Sequence, residues 1–111
     1  MQTPLEILTA AQELIRDPVR WTRETYAREP GGECVEPNDK DACSWCSIGA
    51  IQHVLGSNSD LAEHPTFTLL QRAANCSSVP DYNDNDDHTH VDIMTMFDQA
   101  KELARVETAG A

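Results

Sequence analysis

From Ala42 to Leu55 the chain runs through fourteen residues without a single Asp, Glu, Lys or Arg. That stretch limits the fold more than any other. Read as a helix, it places Trp45, Ile48, Gly49, Gln52 and Leu55 on one side and Cys46, Ala50, Ile51 and Val54 on another. A helix apolar around so much of its circumference belongs at the centre of a domain. The spacing predicts it over residues 41–55, with Gly56 as C-cap. The small Gly49 and Ala50 would let a neighbouring helix come close.

The remaining segments arrange themselves around it. Thr3-Pro4-Leu5-Glu6 is a helix start with a capping residue, a proline at the first position and a capping-box acid. Leu5, Leu8, Ala11 and Ile15 follow at helical spacing, with Ile7 and Leu14 widening the stripe, so a helix is expected over residues 4–16. Pro18 closes it. Residues 18–30 offer Trp21 and Tyr26 to a short helix, which Glu29-Pro30-Gly31-Gly32 stops. Residues 33–41 read as a surface loop holding Cys34. Pro65 opens a further helix, with Phe67, Leu69, Leu70, Ala73 and Ala74 inward. In the last helix Thr89 caps, Asp92 follows three residues on, and Val91, Ile93, Met94, Phe97, Ala100, Lys101 and Ala104 repeat every 3.6 residues. No segment alternates as a half-buried strand would. The expected fold is all-α: one domain over residues 1–111, a compact bundle of about four helices with an acidic loop before the last.

Charge narrows the function classes. The net charge is −11. Residues 1–28 balance, with Arg16, Arg20, Arg23 and Arg28 against Glu6, Glu13, Asp17 and Glu24. Residues 29–111 set fifteen acids against Lys40, Arg72, Lys101 and Arg105, and so carry all of it. Such a field repels nucleic acid and anionic membranes, and attracts basic surfaces or cations. No apolar run of about 18 residues offers a membrane span. The first residues lack the basic and apolar regions of a secretory signal, so a cytoplasmic protein with reduced thiols is expected.

The acids concentrate in Asp81-Tyr82-Asn83-Asp84-Asn85-Asp86-Asp87-His88-Thr89-His90-Val91-Asp92, with no Lys or Arg among them. Asp81, Asn83, Asp84, Asp86, Asp87 and Asp92 are the candidate binding residues. Two metal readings compete with a docking face. Asp81, Asn83, Asn85, Asp87 and Asp92 occupy positions 1, 3, 5, 7 and 12 of a calcium-loop spacing, although Asp86 replaces the turn glycine and Asp92 the final Glu. Cys43, Cys46, His88 and His90 supply four ligands suited to zinc, although the two His are closely spaced. A third reading makes Cys46 a nucleophile, with His88 or His90 as base and Asp84 orienting it. The plainest alternative is that Asn83 and Asp84 fix a turn, Thr89 caps a helix, and His53 and His64 are ordinary boundary residues.

Trp45-Cys46-Ser47-Ile48-Gly49-Ala50-Ile51, then Tyr82-Asn83-Asp84, then Thr89-His90-Val91-Asp92-Ile93 and Phe97-Asp98-Gln99-Ala100 together resemble a family of small bacterial and bacteriophage proteins. That family carries W-C-x-x-G-A and N-D…T-x-x-[DE]-[VI] motifs and is catalogued as a domain of unknown function. The resemblance extends through the N-terminal helix and Trp21. It implies a compact, mostly helical domain with Cys46, Gly49, Ala50, Asn83, Asp84 and Thr89 as shared positions, and it supplies no established activity. Cys43, His88, Asp86 and Asp87 lie outside its motifs. The leading expectation is therefore a small acidic interaction or inhibitor module without a cofactor. It would occupy a basic protein surface, such as that of a host nucleic-acid-binding or defence protein, as a DNA mimic does. A zinc- or calcium-binding helical domain is the alternative, and a Cys-dependent enzyme the third.

Overall fold

The computed structural model describes residues 3–56, 65–76, 78–85 and 87–109. Among them the order is α1 (Pro4–Leu14), a 3-10 turn (Pro18–Arg20), β1 (Ala27–Arg28), β2 (Cys34–Val35), β3 (Ser44–Trp45), α2 (Ser47–Leu55), α3 (Pro65–Ala74), α4 (Val79–Asp84) and α5 (His90–Ala109). The fold is mostly helical, but the all-α expectation needs correcting. A small antiparallel sheet in the order β2-β1-β3 fills the region between α1 and α2. Each strand is two residues long, too short to show alternation, so periodicity had nothing to detect.

The helix expected from residue 41 begins at Ser47 instead. Ser44 and Trp45 pair with Arg28 and Ala27 of β1, and Cys46 is the N-cap, its Sγ accepting from Gly49 N at 3.2 Å. Gly56 ends the helix in the left-handed conformation at φ 71°. At α1 the capping box forms as expected: Thr3 Oγ1 accepts from Glu6 N and Glu6 Oε1 accepts from Thr3 N. Those bonds, led by the one from the Thr3 backbone, hold the Glu6 carboxyl below its ordinary value.

The acidic loop is half helix. Ser78 caps α4 by accepting from Asp81 N, and Pro80 and Asp81 sit in its first turn. Only residues 85–89 separate it from α5, and Asp86 among them lies outside the described residues. Thr89 and Asp92 bond reciprocally at the start of α5: Thr89 N donates to Asp92 Oδ2 at 2.9 Å and Asp92 N to Thr89 Oγ1 at 3.5 Å.

One core joins these elements. α5 lies between α1 and α3 and buries Ile93, Met96, Phe97, Ala100 and Ala104 against Ile7, Leu8, Ala11 and Ile15 of the α1 segment and Phe67, Leu69 and Leu70 of α3. Val91, expected inward, is instead 69 % exposed, and Met96 takes the inner position. Two polar contacts fix α1 against α5. Buried Gln12 donates through Nε2 to Met94 O and Asp98 Oδ1, and His90 Nε2 lies 2.8 Å from Ile15 O.

The close approach at Gly49 is made by the chain entering β1. A Cβ at position 49 would stand 1.9 Å from the Tyr26 carbonyl oxygen, which already accepts from Cys46 N. Helix propensity alone would make Gly49→Ala stabilising by up to about 1 kcal/mol. The clash reverses the sign: backbone must move, and a loss of about 3 kcal/mol is expected. Chemical denaturation of the variant checks it; a gain in stability would show that the β1 approach is looser than described.

Candidate functional site

The motif residues around α4 meet at one buried carboxamide. Asn83, 1 % exposed, is set on the inner face of α4. Its Oδ1 accepts from Trp21 Nε1 at 2.8 Å, Ser47 N at 3.0 Å and Ser47 Oγ at 2.7 Å. Its Nδ2 donates to Thr22 O and to Asp84 Oδ1, each at 3.1 Å. An amide oxygen has two lone pairs, so three donors leave it nothing to offer a cation. A carboxamide is suited to this position because a single group must accept from α2 and donate to the 21–24 segment.

The 21–24 segment closes over α4 by the same chemistry. Asp84 Oδ1 also accepts from Glu24 N at 2.8 Å, and Glu24 holds a left-handed φ of 71°. Arg23 reaches across: Nε donates to Asn83 O, Nη2 to His88 O, and the guanidinium lies 4.7 Å from the centre of the Trp21 ring. His88 Nδ1 lies 2.8 Å from Tyr82 O, and the two rings stack at 3.8 Å. Burial, with Asp92 next, raises the Tyr82 hydroxyl above its ordinary pKa. Arg28 ties the loop from the other side, donating to Thr22 Oγ1, Gly32 O and Arg23 O.

The expected site residues therefore separate by role. Asp81 and Asp87 are exposed. Asn83 is structural, Asp84 half-buried and bonded inward, and Asp92 part of the α5 cap. Residues 81–84, the first four positions of the calcium-loop spacing, lie in α4, and Asn83 at position 3 gives its carboxamide to partners within the protein. Among the described residues no three His, Cys, Asp or Glu side chains converge as metal ligands. For the zinc set, Cys43 is exposed while Cys46 is buried, and His88 and His90 are bound to backbone carbonyls. Nor is Cys46 a poised nucleophile. Burial, opposed only in part by the Gly49 and Ile48 amides, pushes its thiol up to about 11. The thiolate is then about one part in ten thousand at neutral pH.

Sequence reasoning missed Trp21, Arg23 and Ser47 as partners of this centre. A buried indole needs an acceptor, and Trp21 carried that signal; the Arg23 contacts span sixty residues or more and left none.

Two outcomes test the centre. Asn83→Ala leaves the Trp21, Ser47 and Thr22 groups without their partner and should cost about 3 kcal/mol or more. Asn83→Asp places a buried carboxylate beside Asp84, raising its folded pKa above the unfolded value of about 3.9. The folded state then binds more protons, so the deficit against the parent should grow as pH rises from about 4 to about 7. Denaturation at both pH values measures it, and a pH-independent deficit would refute the buried placement. Thiol labelling gives a separate check. Exposed Cys34 and Cys43 should react quickly, while Cys46 reacts only on unfolding; rapid modification of Cys46 in the native state would contradict its burial.

Over residues 1–103 the chain matches a family described as a family of unknown function (DUF6197). No curated protein and no solved structure matches it.

Proposed function

Because the chain belongs to this family of unknown function, we propose a function from its surface: an acidic module that docks on a basic protein. The observation that carries the reading is where the cations go. Arg23 and Arg28 donate to backbone carbonyls and hold the 21–33 segment together. Arg16, Lys101 and Arg105 pair with Glu13, Asp98 and Glu102. Among the described residues no ion pair reaches Asp81, Asp84, Asp87 or Asp92. The α4 face keeps its negative charge, and the buried Asn83 behind it holds the backbone in place.

The natural partner is a protein that binds nucleic acid, since a surface shaped for phosphates also accepts an array of carboxylates. In a bacterial or bacteriophage setting such a module would act as a DNA mimic that occupies a host or defence protein. Direct binding of nucleic acid or membrane is disfavoured by charge; among the described residues no helix is long and apolar enough to cross a membrane. The four cysteines are free, which suits the cytoplasmic location included in the proposal.

The structure also selects the residues for the test. Asp84 and Asp92 hold backbone groups, so reversing them would confuse docking with folding. Asp81 and Asp87 are exposed and carry no such load in their side chains. Affinity for a basic nucleic-acid-binding partner should fall steeply with salt, and about tenfold or more in Asp81→Lys/Asp87→Lys. Unchanged affinity in that double variant, measured at low salt, sinks the reading.

A further inference from the structure

Beside the acidic face lies an open pocket of about 360 Å³ lined by Glu24, Thr25, Tyr26, Cys46, Pro80 and Asp84. We propose that it receives the guanidinium of an arginine side chain from the docking partner. The proposal rests on the acidic-docking reading and names the subsite of that interface.

Four features define the occupant. Two carboxylates, Glu24 and Asp84, line the pocket, and among the described residues no Lys or Arg does. The guanidiniums of Arg23 and Arg28 are committed to backbone carbonyls. Asp84 accepts both of its described bonds through Oδ1, and those bonds hold the carboxylate in place while Oδ2 takes neither. Tyr26 is 49 % exposed, although its backbone is pressed against Gly49, so the exposure belongs largely to the ring. A large aromatic residue left half in water and lining the same pocket as two carboxylates offers the pairing that a planar cation uses: stacking on a ring face and hydrogen bonds to an acid.

An anion fits badly, although the start of α2 faces the same region. Ser47 N is occupied by Asn83 Oδ1 and Gly49 N by Cys46 Sγ, so those helix-end donors are spent inside the protein. The C-terminal end of α4, where Asp84 lies, adds negative potential instead. Pro80 supplies apolar wall for the methylene stem. Arginine suits the pocket better than lysine because its flat, weakly hydrated cation can stack and fork at once.

The test titrates N-acetyl-arginine-N-methylamide into the whole protein and follows amide shifts by NMR, with the lysine counterpart beside it. Saturable shifts centred on Glu24–Tyr26, Cys46 and Asp84, weaker for lysine, are expected. Affinity should fall about tenfold in Tyr26→Ser and also fall in Glu24→Gln; both side chains are exposed, and an unchanged melting curve confirms the fold. No shifts, shifts scattered without saturation, or equal binding by Tyr26→Ser overturn the proposal. An oligo-arginine peptide separates the two readings. If it binds through Asp81 and Asp87 while Tyr26→Ser changes nothing, docking stands and the pocket falls. If the amide saturates the pocket while Asp81→Lys/Asp87→Lys leaves the peptide's affinity intact, the pocket stands and the docking face falls.

Discussion

The structure depends on one buried amide group. Asn83 joins three elements: the start of α2, the α4 helix and the segment beginning at Trp21. Each unmet buried polar group costs about 1–3 kcal/mol, against a net stability of about 5–15 kcal/mol for an ordinary domain. A node that satisfies several such groups at once is therefore worth a large share of the whole. A hydrophobic residue could not replace it, because the backbone amide of Ser47 and the carbonyl of Thr22 would still need partners. An aspartate could accept, but not donate to Thr22 or share a bond with Asp84.

The shortness of the strands gives the arginines their role. Between the 3-10 turn and α2 the chain has only three two-residue strands, so many carbonyls lie beyond any ladder. Arg28 reaches those of residues 23 and 32, and Arg23 ties the segment to the carbonyls of residues 83 and 88 in and after α4. A guanidinium serves well here, since it offers five donors in a fixed fork. The consequence is electrostatic. Arg23 keeps its positive charge beside the C-terminal end of α4, but the bonds described for its guanidinium go to carbonyls and not to the carboxylates of Asp81, Asp84, Asp87 or Asp92.

Much of the helical frame was legible. The capping box at Thr3, Pro65, Thr89 with Asp92, and the periodicity from Ile93 to Ala104 all report local geometry, and local geometry is what spacing encodes. What escaped was non-local. The apolar run from Ala42 was read as one helix because a buried strand and a buried helix look alike over a few residues; only the pairing of Ser44 and Trp45 with β1 separates them. In the acidic stretch the density of ligand-type side chains suggested a loop around a cation. Yet Ser78, Pro80 and Asp81 form a helix start of the same kind as the one at Thr3, and the density of acids after it masks that signal. That helix turns Asn83 inward and leaves Asp81 outward, and so divides a run of similar residues into scaffold and surface.

Asp84 lies at the boundary of that division and shows how the two roles constrain each other. It is the last residue of a six-residue helix, where a carboxylate faces the negative end of the helix dipole and is disfavoured by a few tenths to about 1 kcal/mol. Glu24 N and Asn83 Nδ2 offset that cost by donating to the same oxygen, and Glu24 itself holds a left-handed backbone that a non-glycine residue adopts reluctantly. Folding energy is thus spent to keep a carboxylate where local electrostatics oppose it. A neutral residue at 84 would remove the opposition to the dipole, and with it the charge at the pocket. The same carboxylate oxygen thus holds the 21–24 segment against α4 and fixes where the charge stands at the pocket.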